Sequence, residues 1–205
     1  MYAYFDVPAA FRPIPVGMSL AESIDHITQQ HERSGIPHQP AGLEQQAAQL
    51  NRLSKALKDL GTIFSGVAAG TIGDRFSLAT LNVSANEFRY GDSAETAAEG
   101  AMQALVAARG NAWSGQVYPL PCGQPAAVVT GARIYTLPTV KPPTVPFHEL
   151  QAIIPVPDDP SIPQQALLNI TFSTPAATDW DTYMPLVADL LRSLAFTTEA
   201  ETDNQ

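Results

Sequence analysis

Cysteine is nearly absent from this chain. Cys122 is the single one in 205 residues, which excludes an internal disulfide and a thiolate zinc cage. Charge is also scarce, at 15% of residues, and basic charge most of all: 11 Lys and Arg stand against 20 Asp and Glu, for a net charge of −9. No run of Lys or Arg occurs, so the electrostatic footprint of a phosphate backbone is missing, as is a basic patch for anionic lipid. We therefore expect no nucleic-acid partner. No stretch approaches the ~20 apolar residues of a membrane span, so no membrane insertion is expected. The first residues, Met1-Tyr2-Ala3-Tyr4-Phe5-Asp6-Val7-Pro8, lack the basic and apolar regions of a signal peptide, and the expected location is cytoplasmic. Thirty alanines, with eight Arg against three Lys, match the composition of a GC-rich bacterial genome.

What the chain does contain is apolar residues in ordinary amount, 45%, and many prolines, 18. The apolar share excludes a wholly disordered chain. The prolines cluster between periodic segments and act as boundaries. Phe11-Arg12-Pro13-Ile14-Pro15-Val16 is too rich in proline for a central strand and reads as an edge strand or extended arm. Ser19 and Glu22 form a capping box ahead of a helix carrying Leu20, Ile24 and Ile27, which Gly35 and Pro37 stop. Leu43, Ala47, Leu50, Leu53, Leu57 and Leu60 recur at helical spacing up to Gly61, and this stripe predicts a helix lying on a sheet. The period then changes to two. Ile63–Ala69 and Phe76–Ser84 read as a hairpin around Gly73. Asp92 or Ser93 caps a third helix with Ala98, Met102, Leu105 and Val106 on its apolar side. Four strand segments follow, Gln116–Leu120, Ala126–Leu137, Phe147–Val156 and Gln165–Ser173. A last helix spans about Asp181–Leu194, with Pro185 expected in or beside its first turn.

This order predicts an α+β protein with an antiparallel sheet of about six strands flanked by helices. The expected core includes Leu50, Leu53, Leu57, Leu81, Val83, Leu105, Leu168, Ile170, Phe172, Leu190 and Leu194. Residues 1–198 read as one domain, with 1–40 an N-terminal arm and helix docking on it, and 199–205 as an acidic, disordered tail. The arm either caps its own sheet or can be displaced by a partner strand.

Chemistry-bearing motifs are few. His26 and His31 are spaced onto different helix faces, His38 falls in a loop and His148 is remote, so no metal is expected. Cys122 could act as a nucleophile only beside a base, and His148 is the one histidine in a distant strand. Phe64-Ser65-Gly66 and Trp113-Ser114-Gly115 are half-matches to a serine-hydrolase elbow. The glycines Gly61, Gly66, Gly70 and Gly73 do not form a phosphate loop. We expect no catalytic, cofactor-binding or metal residue. Trp113 and Trp180 could anchor an interface or close the ends of the core. Together with Phe11 and Ile14 of the arm they are the candidate partner-binding residues.

Val117-Tyr118-Pro119-Leu120-Pro121-Cys122-Gly123, Leu150-Gln151-Ala152-Ile153-Ile154-Pro155-Val156-Pro157 and Leu168-Asn169-Ile170-Thr171-Phe172-Ser173-Thr174-Pro175, with the helix that follows, resemble uncharacterised actinobacterial proteins. The layout resembles the PsbP-like fold shared by the Ran-binding Mog proteins and by chaperones of type VI secretion effectors. That resemblance implies binding of another protein, without cofactor or catalysis: a cytoplasmic adaptor, chaperone or immunity protein for a secreted partner. The alternative is a hydrolase-type enzyme built on Cys122.

Overall fold

The period-two segments become the strands of one antiparallel sheet. The computed structural model describes residues 2–34, 40–136, 141, 143–158 and 164–197. In chain order its elements are β1 (Tyr2–Tyr4), β2 (Arg12–Pro13), α1 (Leu20–Ser34), α2 (Pro40–Asp59), β3 (Thr62–Ile72), β4 (Arg75–Glu87), α3 (Ala94–Arg109), β5 (Ser114–Pro119), β6 (Pro125–Thr136), β7 (Thr144–Pro155), β8 (Ala166–Thr174), a 3-10 turn (Ala177–Asp179), α4 (Trp180–Ser193) and β9 (Ala195–Thr197). Seven strands lie in the order β2-β3-β4-β8-β7-β6-β5, all pairs antiparallel. The chain ends pair separately as a β1–β9 ribbon. The expected class is thus the observed one. The strand beyond the anticipated six is the proline-bearing arm, which sits at the sheet edge as β2. The stop signals Gly35 and Pro37, together with His38 and the acidic tail at 199–205, lie outside the described residues.

Local signals behave as short-range chemistry requires. Glu22 accepts from the Ser19 amide at 2.7 Å, and the Glu22 amide donates to the Ser19 hydroxyl at 3.3 Å, which is the capping box. Ser93 caps α3 by accepting from the Thr96 amide at 3.1 Å. β3 and β4 are joined across the Ile72–Arg75 pair by Gly73 and Asp74. Gly73 has φ +59 and Asp74 a negative φ, the combination that matches the twist of a hairpin with glycine first.

One sheet face carries the main core. Leu81 and Val83 of β4, Leu168, Ile170 and Phe172 of β8, and Leu150, Ala152 and Ile154 of β7 stand on the same side by register and are buried. Tyr183, Val187, Leu190 and Leu191 of α4 close over them. Each Val, Leu, Ile or Phe among them contributes ~1.5–3 kcal/mol when fully removed from water. Arg75 pairs with the buried Asp179 at 2.8 Å and donates to Thr178, which ties the β3–β4 hairpin to the start of α4. The opposite face is covered by α3 over β5, β6 and β7. There the approach is close. A Cβ on Gly131 would meet the Trp113 ring at 2.4 Å, and one on Gly115 would meet Met102 at 2.8 Å.

Two expectations need correction. α2 does not lay its leucines on the sheet. It packs chiefly against α1 and meets the sheet mainly at β3. Leu50 and Leu57 are half-buried and Leu53 is 46% exposed, whereas Ala47 and Ser54 are fully buried. Ser23 and Ile27 are the buried positions of α1. A helix pair needs less apolar cover than a sheet, and its closest positions take small side chains. Leu105 of α3 is likewise half-buried and outside the main core. Pro185 lies in the second turn of α4, beside the first, where an intrahelical donor is nevertheless lost. The missing donor is the one for the Asp181 carbonyl, and both residues are exposed, so that carbonyl is open to solvent.

The Gly131 contact generates a prediction. Gly131→Ala should cost ~1–3 kcal/mol through overpacking against Trp113. Gly100→Ala, on the exposed side of α3 with nothing within 4 Å of a new Cβ, should stabilise by ~0.5–1 kcal/mol. Urea unfolding measures both, and equal midpoints for the two variants would contradict this packing.

Candidate functional site

The residues singled out from the sequence do not converge on one surface. Phe11 is 4% exposed and packs edge-on to Phe172 at 6.4 Å and beside Tyr183 at 6.5 Å, inside the main core. Trp113 is 6% exposed, under the Arg109 guanidinium at 5.0 Å. Trp180 is half-buried, with Phe172 at 5.7 Å and His148 at 6.0 Å from its ring. Ile14 is half-buried in the arm and donates its amide to the Ser65 carbonyl at 2.7 Å. Phe11 and Trp113 therefore serve packing, and a partner could reach them only by displacing what covers them.

Cys122 and His148 are not neighbours. Cys122 lies in the β5–β6 turn, ahead of the Pro119–Pro125 pair. His148 stands opposite Ala132, far along β6. At ~3.3 Å per strand residue the two are roughly 20 Å apart, so His148 is out of reach as a base for this thiol. Among the described residues no group of three or more His, Cys, Asp or Glu is placed to hold a metal ion, and no helix is long and apolar enough to cross a membrane. Ser65 is buried and donates to Asn82 Oδ1 at 2.6 Å, which leaves no base beside it.

One polar cluster escaped detection in the sequence. On the α3 side, the sheet beyond that helix carries Thr80, Asn82, Gln151, Thr171 and Ser173, around a shallow hollow of about 290 Å³. Glu149 lies in it, 2% exposed, and accepts from the Tyr135 phenol at 2.5 Å. Phe147 packs edge-on to Tyr135 at 5.1 Å, and Arg133 stacks on the same ring at 5.0 Å. Burial first, then the hydrogen bond to Glu149 and its charge, hold the Tyr135 phenol above the usual tyrosine value, opposed by Arg133 and Arg109. A lone acid in the Thr144–Pro155 strand was the available signal. Much of this face is the half-solvated side of an antiparallel sheet.

The sheet edges offer a more pointed feature. The Ile14 to Ser65 bond shows that odd-numbered residues of β3 aim their amides and carbonyls outward. β2 pairs with this edge only at Gly66 and Val67. The arm then turns away, with the Phe11 amide donating to Pro8 at 2.9 Å. Ala69 and Thr71, paired with β4 on their inner side, thus have no strand on their outer side among the described residues, and Ala69–Thr71 are exposed. Beside them a hollow of about 370 Å³ opens between the arm and α4, walled by Ala10, Ala68, Ile72, Tyr183 and Leu186. The opposite edge is interrupted at one end. Leu120 donates to the Gln124 carbonyl at 2.9 Å, so even residues of the β5 strand face β6 while Gly115, Val117 and Pro119 face outward, and only Pro119 offers no donor there. The β3 edge has no such proline or charge between Ala68 and Ile72.

No protein-family model matches the chain, and no curated protein matches it. The fold and edge define an α+β protein with an antiparallel sheet, one of whose edges is open over a short stretch beside a hollow.

The Tyr135–Glu149 pair is directly testable. Tyr135→Phe removes a donor from a buried carboxylate and should cost ~1–3 kcal/mol at neutral pH. A phenol whose value is raised in the folded state contributes stability that is whole below the unfolded value of ~10 and is lost as pH rises through the raised one. The wild-type loss of stability above pH ~10 should therefore shrink in Tyr135→Phe. Urea unfolding at pH ~7 and ~10.5 checks both effects, and an unchanged pH dependence would count against the pair.

Proposed function

We propose that the protein is a non-enzymatic binding module for another protein, which adds an extended segment of that partner to the β3 edge. The observation that carries this reading is the Ala69–Thr71 stretch of the sheet edge, open on the side away from β4 and set beside an open hollow. Backbone hydrogen bonds from an exposed edge supply affinity to an incoming strand, and alternate side chains supply selectivity. A cytoplasmic adaptor, chaperone or immunity protein for a secreted partner is a form of this reading, in line with the PsbP-like resemblance. The hydrolase alternative has no observation in its favour once Cys122 and His148 stand apart.

Proline substitution tests the reading without dismantling the hairpin. The Ala69 amide points away from β4, so Ala69→Pro removes only the outward donor. We expect Ala69→Pro to unfold in urea within ~1 kcal/mol of the wild type. A partner co-purified from source-organism lysate by the wild type should be lost by Ala69→Pro and kept by Val117→Pro, which alters the opposite edge. Retention of every partner by a folded Ala69→Pro would refute the proposal.

A further inference from the structure

We infer that the β3 edge takes the C-terminal end of an extended chain, with an apolar side chain at the penultimate position. This deepens the proposed binding function and rests on it.

The edge is open on one side only. An incoming strand lies in line with β2, and β2 already occupies the edge at Val67 through Arg12. Phe11, next to it, is buried in the core and cannot yield its place. A strand pairing with Thr71 and then Ala69 therefore meets the arm and has to end there or turn away. A chain terminus meets that requirement without a bend. Charge selects which terminus. Arg12 is the single formally charged residue among those lining the hollow; it lies at the blocked end, and its place opposite Val67 puts its side chain on the face away from α4, the face that the incoming chain's last residue, opposite Ala69, shares. A carboxylate complements it and an ammonium does not. The incoming strand is accordingly antiparallel to β3, with its last residue opposite Ala69 and its carboxylate toward Arg12.

Register then assigns the pocket. The residue before the last stands opposite Gly70, whose position offers nothing within 4 Å of a Cβ. Gly70 pairs with Ser77, and Ser77 contacts the Tyr183 hydroxyl at 2.9 Å, on the α4 side. A penultimate side chain therefore points into the hollow between the arm and α4. Its walls combine the apolar Ile72, Tyr183 and Leu186 with Ser77 and Thr182 at the margin, and the space accepts one large aliphatic or aromatic side chain. The flanking residues fall on the other face, beside the exposed Thr71 and Phe76, where selectivity is weaker.

The test uses a random hexapeptide library with free C-termini and the same library amidated, both selected on the full chain. Affinities of the selected peptides are then read by fluorescence polarisation. We expect selection from the free-acid library alone, with an apolar consensus at the penultimate residue. Amidation of a selected peptide should weaken binding about tenfold or more, as loss of a charge-assisted contact does. Arg12→Gln should weaken the free acid and leave the amide unchanged, and Ala69→Pro should abolish both. Equal selection from the amidated library, or indifference to Arg12→Gln, overturns the C-terminal inference while sensitivity to Ala69→Pro preserves edge binding. Peptides that bind Ala69→Pro as well as the wild type, or no selection from either library, overturn the inference and the edge reading together.

Discussion

The burial of α4 against β4, β8 and β7 is the contact from which the remaining geometry follows. Its centre is Phe172, fully buried on β8 and ringed by Phe11, Trp180 and Tyr183 at centroid distances of 6.4, 5.7 and 5.3 Å. Aromatic packing of this kind joins large apolar area with directional ring contacts. Three distant parts of the chain meet there: the N-terminal arm, the central strand and the last helix. The arm is held because Phe11 is one of the rings. Since Phe11 must enter the core, the arm leaves the sheet edge after Arg12, and β3 continues beyond it unaccompanied. The open edge is thus a consequence of the core.

The two sheet faces divide their work unequally. The α4 face is apolar across β4, β8 and β7, whereas the opposite face is apolar only beneath α3 and turns polar over Thr80, Asn82, Thr171 and Ser173. The buried Glu149 is tolerated there because Tyr135 donates to it at the margin of α3. The helical hairpin α1–α2 covers neither face broadly. It is anchored through the arm instead, where Asn51 donates to the Met18 carbonyl at 2.7 Å and Ser54 accepts from the Met18 amide at 2.5 Å. Small buried side chains, Ala47 and Ser54, serve this helix pair better than the leucines around them.

Much of the architecture was legible in the sequence, but the candidate site was not. The strand runs, the hairpin at Gly73, the capping box at Ser19 and Glu22, and the proline-bearing edge strand all follow from residues a few positions apart. The core residues Leu81, Val83, Leu168, Ile170, Phe172, Leu190 and Leu194 followed from the same periodicity. Ala68-Ala69-Gly70-Thr71-Ile72, by contrast, shows only small, uncharged residues in a strand pattern. Nothing local says that its neighbour stops at Val67.

By itself the sequence determined which segments are strands and helices, because backbone preference, capping and alternation act over a few residues. The tertiary structure alone decided what covers each apolar stripe. It sent the α2 leucines to a helix partner, buried Phe11 and Trp113, and set Cys122 apart from His148. It also left two residues of β3 with no strand on their outer side among the described residues. Periodicity reports that one side of an element is apolar, but the surface that meets that side belongs to residues far away in the chain, and only folding brings the two together.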